Sequence, residues 1–117
     1  ELDQYIQPTM KMKNLNIAQI QMMEIIKAVS YNSKVIIMDE PTRGIDVGAK
    51  AAIYNIMIDL AKQGIAIIMI SSEMPELIGM SNRIMVMANG RVKGELEGEE
   101  TASQQAIMNL AFGGNEQ

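Results

Sequence analysis

Two adjacent carboxylates, Asp39 and Glu40, directly follow four apolar residues at 35–38 and precede a proline. Acidic side chains at the end of a buried strand are costly unless their charge is used there. One such carboxylate can hold Mg²⁺, and its neighbour can orient and deprotonate an attacking water, as in phosphoryl-transfer sites. The same acids could instead meet solvent or cap a helix, and the pattern alone leaves both interpretations open.

The composition narrows the chemistry that these acids could support. The 117 residues contain no cysteine and no histidine, which excludes disulfides, thiolate metal sites and the usual general base near neutral pH. The net charge is −4 and the ten lysines and arginines are scattered, so we expect no nucleic-acid surface. No apolar run approaches a bilayer-spanning length and no secretory pattern is present, so we expect a cytoplasmic chain.

The elements that position the acids are indicated by the spacing of apolar residues. Helix, strand, helix and strand are predicted in that order, at residues 16–30, 35–38, 49–62 and 65–70. Asn14 or Asn16 is the predicted N-cap of the first helix, and Gly64 ends the second. Both strands are wholly apolar, and the first is predicted to be covered on both faces.

The rest of the chain is predicted to form a short helix, a hairpin and a last helix. Ser71 or Ser72 is the predicted cap of a helix that runs to Met80. Asn-Gly at 89–90 stands between two strand-like segments and is a strong hairpin signal.

Thr101 and Gln104 form a predicted capping box ahead of a last helix at 106–112.

The order of the elements fixes the expected fold class. A strand, a helix and a second apolar strand make a βαβ unit, so the class is α/β with a parallel core. The carboxyl ends of parallel strands lie side by side, which is expected to place the two acids beside residues 71–73.

Three segments resemble a known family. IIMDEPTRGIDVGAKAAIY, residues 36–54, resembles the Walker B motif and D-loop of ATP-binding cassette (ABC) proteins. ISSEMPEL at 70–77 and RIMVMANGRVKGEL at 83–96 are similar to the ATP-binding subunits of bacterial sugar importers of the ribose and galactose type. The resemblance implies a partial P-loop NTPase fold, with residues 1–117 as one partial ABC ATPase domain ending in a hairpin and a helix.

By position, the resemblance implies a role for each acid. Asp39 would be the Walker B aspartate that holds Mg²⁺, and Glu40 the catalytic carboxylate that polarises the hydrolytic water. Gly44, Ile45 and Asp46 would form the D-loop, which in the family crosses to the opposite cassette and its nucleotide.

A further nucleotide contact is implied at residues 15–19, Leu-Asn-Ile-Ala-Gln, which stand where the family has its Leu-Ser-Gly-Gly-Gln signature. In the family this segment precedes a helix whose N-terminus faces the ATP of the other cassette, so nucleotide contacts are implied at Asn16, Ile17, Ala18 and Gln19. Here an asparagine replaces the serine, and Ile17 and Ala18 replace glycines that let backbone approach phosphate closely.

Other departures limit what the resemblance implies. Ser72 stands at the switch position, where most of the family has histidine, and is implied as a second catalytic residue, although a plain helix cap is equally open. No G-x-x-x-x-G-K-[ST] occurs in the 117 residues, so the segment resembles the C-terminal portion of a cassette. ATP and Mg²⁺ are the implied cofactors, and their binding to this chain alone is expected to be weak or absent.

The implied partners are another cassette, in the same or a second chain, and the membrane permease subunits of a sugar importer, with the protein peripheral on the inner face of the membrane. A second copy of this chain is a further candidate partner.

Two hypotheses for the function follow. The first is an energy-coupling ATPase piece, and the second is a non-catalytic remnant or interaction module. A Mg²⁺-dependent carboxylate enzyme unrelated to nucleotides would need further acids near Asp39, and only Asp46 is close in sequence.

Overall fold

The structure, a computed structural model, describes residues 16–113 of the chain, which form α-helices and β-strands in two compact units divided after Ile70. The elements are α1 (Ile17–Ser30), β1 (Val35–Asp39), α2 (Val47–Lys62), β2 (Ala66–Ile70), α3 (Met74–Met80), β3 (Arg83–Ala88), β4 (Arg91–Glu97) and α4 (Gln104–Met108). A 3₁₀ turn at Gly98–Ala102 precedes α4, and a π turn at Asn109–Gly113 follows it. None of the helices within 16–113 has the length and apolar character needed to cross a bilayer.

Helix α1 begins where its capping chemistry predicts. The Asn16 side chain accepts a hydrogen bond from the Gln19 N–H at 2.9 Å, and the Gln19 side chain accepts one from the Asn16 N–H at 3.1 Å. This reciprocal capping box satisfies two N–H groups that the start of a helix leaves without helical partners. Asn16 is therefore the cap, and the alternative, Asn14, lies outside the described residues.

The two strands of the first unit pair in parallel, as predicted. Their register runs from Val35 opposite Ala66 to Asp39 opposite Ile70. Helix α2 connects them and packs on β2, while α1 packs on α2. The predicted α/β class with a parallel core is confirmed.

The prediction that β1 is covered on both faces is wrong for the described residues. Ile36 and Met38 are buried, but Val35 and Ile37 are exposed, so burial alternates along the strand. The physical reason is that the helices described in this unit supply buried apolar side chains for one face of the sheet. The other face carries apolar side chains that no described residue of this unit covers.

Helix α2 supplies more of the buried apolar residues described in the first unit than any other element. Ile53, Ile56, Met57 and Leu60 recur at helical spacing and are all buried. The helix begins two residues earlier than predicted, and Gly64 follows it with a φ of +93°, as its predicted C-terminal position requires.

The second unit is built on the predicted hairpin. Strands β3 and β4 are antiparallel, and the turn residues Asn89 and Gly90 have φ values of +53° and +75°. Positive φ at both central residues defines the type I′ turn that matches strand twist. The hairpin buries Ile84, Val86 and Leu96 against α4.

The predicted Thr101–Gln104 capping box is wrong. Ser103 caps α4 by accepting a hydrogen bond from the Ala106 N–H at 3.1 Å. The Thr101 hydroxyl instead donates to the Gly98 carbonyl at 2.8 Å, inside the 3₁₀ turn that sequence reasoning did not anticipate.

Ile53 and Ile58 provide a matched test of the core on one helix. Ile53 is fully buried, whereas Ile58 is 42 % exposed. We expect Ile53→Ala to lower the free energy of unfolding by about 2–5 kcal/mol, because the removed atoms leave a cavity. Ile58→Ala should change it by no more than about 0.5–1 kcal/mol. Urea unfolding followed by circular dichroism measures both, and equal losses would contradict this packing.

Candidate functional site

The two acids lie at the carboxyl end of β1, where open α/β sheets bind ligands. Asp39 is the last residue of the strand, is exposed, and stands opposite Ile70 in the register. Glu40 follows and is half-buried, and its N–H donates a hydrogen bond of 2.7 Å to the Ile70 carbonyl. This bond continues the β1–β2 pairing one residue beyond Asp39, and so it fixes the backbone from which both carboxylates project.

Glu40 has an unusual backbone conformation. Its φ is +50°, in the left-handed region that glycine adopts freely and asparagine tolerates. The other described non-glycine residues with positive φ are Asn32 and Asn89. The short polar side chain of asparagine can hydrogen-bond nearby backbone and tolerates this region, whereas the longer side chain of Glu40 does not. Left-handed backbone costs an ordinary residue about 1–2 kcal/mol, and such strain clusters at functional sites.

The segment after Glu40 is held tightly. Pro41 and Thr42 are almost completely buried, and Ile45 is buried as well. The Ile45 N–H donates to the Thr42 carbonyl at 3.1 Å, and the Arg43 N–H donates to the Glu40 carbonyl at 3.2 Å. The two successive turns anchor the loop that leads from the acids to α2.

Asp46 has a structural task in addition to the role implied by the resemblance. Its carboxylate accepts a hydrogen bond of 2.9 Å from the Ala49 N–H and caps α2. Sequence reasoning assigned Asp46 to the D-loop without foreseeing this cap, although an aspartate just before a helical pattern is a standard signal for it.

The structure brings the start of α1 to the same loop. An ideal Cβ built on Gly44 would lie 3.8 Å from Cδ1 of Ile17, so these two residues are neighbours. Two segments that the resemblance assigns to an interface between cassettes therefore lie together. Leu15, the first residue of the signature-like segment, lies outside the described residues.

Ser71 and Ser72 belong to the second unit and differ in their contacts. Ser71 donates a hydrogen bond of 2.5 Å to the buried Glu76 carboxylate and accepts one of 3.1 Å from the Glu73 N–H. The N-cap of α3 is Glu73, without a side-chain cap, so the prediction that Ser71 or Ser72 caps this helix is wrong. Ser72 is exposed. Glu76, which anchors the turn, was missed, because no sequence pattern marks an acid in a short helix as buried.

Asp39 offers one exposed carboxylate, which suits a cation that brings most of its other ligands with it. Within residues 16–113, no group of three or more acidic side chains is arranged to hold a metal ion. Mg²⁺, however, is commonly bound through one or two carboxylates, with water and substrate phosphates completing its shell. The exposed carboxylate of Asp39 could serve as a single protein ligand of this kind.

The strain at Glu40 predicts a gain in stability when it is relieved. Glu40→Gly should raise the free energy of unfolding by about 0.5–1 kcal/mol, since relief of the left-handed strain exceeds the entropy cost of a glycine. Glu40→Gln retains the strain and should give no comparable gain, and Asn89→Gly should gain less because asparagine tolerates positive φ. Urea midpoints compare the three variants. A Glu40→Gly chain no more stable than Glu40→Gln would show that the strain is absent.

The two serines should respond differently to removal of their hydroxyls. Ser71→Ala deprives the buried Glu76 carboxylate of one donor and the Glu73 N–H of its acceptor, so a loss of about 1–3 kcal/mol is expected. Ser72→Ala, at an exposed position, should stay within about 0.5 kcal/mol of the parent chain. Thermal unfolding distinguishes them, and similar behaviour of the two variants would contradict the described turn.

Known proteins match this chain closely in sequence, although no protein-family model matches it. The ribose import ATP-binding protein of Oceanobacillus iheyensis is 55 % identical over 102 residues, which cover 87 % of this chain and 20 % of that protein. The galactose/methyl galactoside import ATP-binding protein of Clostridium tetani is 56 % identical over 101 residues, covering 86 % and 20 %. The chain therefore spans about a fifth of the length of these relatives.

A solved ATP-binding cassette of an ABC transporter has the same fold over nearly all of the chain. The TM-score is 0.80 at 27 % identity, and the match covers 93 % of this chain and 45 % of the cassette. The chain is therefore a relative of the ATP-binding proteins of bacterial sugar-import ABC systems, matching one segment of them, and it has the fold of part of an ABC ATPase cassette.

Proposed function

We propose that this chain supplies the Walker B, D-loop and signature-type elements of a cassette whose ATP hydrolysis drives sugar import. The observation that carries the proposal is the position of Asp39 and Glu40. They stand at the carboxyl end of a parallel strand pair, one exposed and the other half-buried on a strained backbone. The high identity to sugar-import ATP-binding proteins supports the choice of transported substrate class.

The two acids have separate tasks in this proposal. Asp39 offers a full negative charge at an exposed position, which suits a ligand of Mg²⁺. Bound Mg²⁺ would supply positive charge that stabilises the phosphate oxygens of ATP. Glu40 is half-buried and held by its hydrogen bond to the Ile70 carbonyl, so its carboxylate would orient a water and accept its proton.

The remaining implied residues serve an interface between cassettes in this proposal. Ile17 at the start of α1 lies beside Gly44. Residues 16–19 and the Gly44 loop would together face a second cassette and its nucleotide. Asp46 would hold the loop in place by capping α2. Ser72 would contact the nucleotide from the switch position. The assembled protein would act with permease subunits at the inner face of the membrane.

The second candidate function is a non-catalytic module that binds other cassettes. One sequence observation favours it, which is the absence of G-x-x-x-x-G-K-[ST] from these 117 residues. The backbone cradle and lysine of that motif hold the phosphates in P-loop enzymes. The chain by itself would then bind nucleotide too weakly for turnover, and only its surface would act.

A fusion that restores the P-loop tests the proposal. When the P-loop portion of a related sugar cassette is joined ahead of Glu1, the chimera should bind ATP and hydrolyse it slowly. Asp39→Asn should weaken Mg²⁺-dependent nucleotide binding, because a neutral amide replaces a charge that the cation needs. Glu40→Gln should leave binding intact and lower turnover by roughly a hundredfold or more, because only the base is lost.

Nucleotide titration and phosphate release measure the two effects separately. The matched control is the unfused 117-residue chain, which should release no phosphate above a buffer blank containing Mg²⁺. Equal effects of both substitutions on binding and turnover would show that the two roles are misassigned. A folded chimera that binds ATP without turnover would favour the non-catalytic module.

A further inference from the structure

The turn between β3 and β4 places an asparagine directly ahead of a glycine at an open position. Asn89 and Gly90 are both exposed, and a Cβ built on Gly90 would meet nothing within 4 Å. The strand pairing at the turn joins Ala88 to Arg91, so the two central residues lie outside the ladder. The side-chain amide of Asn89 and the backbone nitrogen of Gly90 are therefore adjacent and open to water.

These two groups can react with each other. Once hydroxide removes the Gly90 N–H proton, the nitrogen can attack the side-chain carbonyl carbon of Asn89. A C–N bond forms, the bond from that carbon to the amide nitrogen breaks, and ammonia leaves after taking a proton from water. Water then opens the resulting succinimide ring and leaves either aspartate or isoaspartate in place of the asparagine. The reagents are water and hydroxide alone.

A second asparagine in the chain shows what the glycine contributes. Asn32 is also exposed and also left-handed, with a φ of +55° against +53° at Asn89. The residue after it is Ser33, which has a Cβ and whose hydroxyl donates a hydrogen bond of 3.3 Å to the Ala28 carbonyl. A side chain on the following residue crowds the attacking nitrogen, whereas glycine has no Cβ and rotates freely. The reaction is therefore favoured at Asn89 and disfavoured at Asn32.

The two products differ in what they do to the hairpin. Aspartate keeps the backbone length and suits the first central position of a type I′ turn. Isoaspartate routes the main chain through the side-chain carbon, which lengthens the link between the paired residues Ala88 and Arg91. Hairpin register is set by turn type and loop length. The core residues Ile84, Val86 and Leu96 then lose the strand pairing that holds them together.

We propose that Asn89 is a deamidation site, where the turn converts itself in water and the isoaspartate product loses the β3–β4 register. The proposal goes beyond the function in ATP-driven import. It requires no nucleotide and none of the roles assigned to Asp39 and Glu40, so its failure would leave that function untouched.

Ageing of the full 117-residue chain tests the proposal without any substitution. After incubation at mildly alkaline pH, mass spectrometry of proteolytic peptides detects the exchange of an amide NH₂ for a hydroxyl. Conversion should be at least about tenfold faster at Asn89 than at Asn32, which corresponds to about 1.4 kcal/mol in activation free energy. The rate at Asn89 should rise with pH, because the attacking nitrogen must lose its proton. Equal rates at the two asparagines would overturn the proposal.

Two variants test the contribution of each residue. Ser33→Gly gives Asn32 the same following residue as Asn89, and its conversion should accelerate by about tenfold or more. Asn89→Gly retains a residue that suits the turn but has no amide, so the isoaspartate yield of the chain should fall sharply. An unchanged rate at Asn32 or an unchanged yield of isoaspartate would contradict the proposal. The comparison within the parent chain stands even if either variant fails to fold.

The consequence for the hairpin is measured on the separated products of the aged chain. The isoaspartate form should unfold at a lower temperature than the parent chain, because the turn no longer matches the strand register. The Asn89→Asp variant is the matched control, since it carries the new charge on a normal backbone and should unfold with the parent. An isoaspartate form as stable as this control would overturn the loss of register.

Discussion

The parallel register of β1 and β2 is the constraint on which the candidate site depends. It places Asp39 opposite Ile70, and the hydrogen bond from the Glu40 N–H to the Ile70 carbonyl extends the pairing past the strand end. A shift of one residue would exchange the two faces of a strand and turn Asp39 into the buried side. Burial of Ile36 and Met38 against the helical side prevents that shift. Packing of a few apolar side chains thus determines where the two charges stand.

Local chemistry made much of this fold predictable from the sequence. The Asn16 cap, the Asn89-Gly90 turn and Gly64 after α2 each depend on residues close together in the chain, and each is confirmed. The failures have a different origin. The exposure of Val35 and the burial of Glu76 depend on which other elements cover them. The local sequence around each residue does not specify which distant elements pack on it.

The candidate site shows the same division. The resemblance pointed to Asp39 and Glu40, and their roles stay proposals until the fused chain is measured. The left-handed backbone of Glu40 and the approach of Ile17 to Gly44 were not predicted, because a dihedral angle and a contact over a long sequence separation leave no local pattern. A positive φ at a glutamate is the feature that most clearly separates this strand end from an ordinary one.

The two sheets also differ in the chain length that each must close. In the hairpin, Ala88 pairs with Arg91 across a two-residue turn. In the parallel sheet, the first paired residues are Val35 and Ala66, which are about thirty residues apart in the chain. Contacts between distant residues require a larger loss of chain entropy and form more slowly. Folding of the second unit can therefore begin from a local nucleus, while the carboxylates reach their final positions only after the slower closure. Before the β1–β2 pairing closes, the backbone that carries the two carboxylates has no partner strand to orient it.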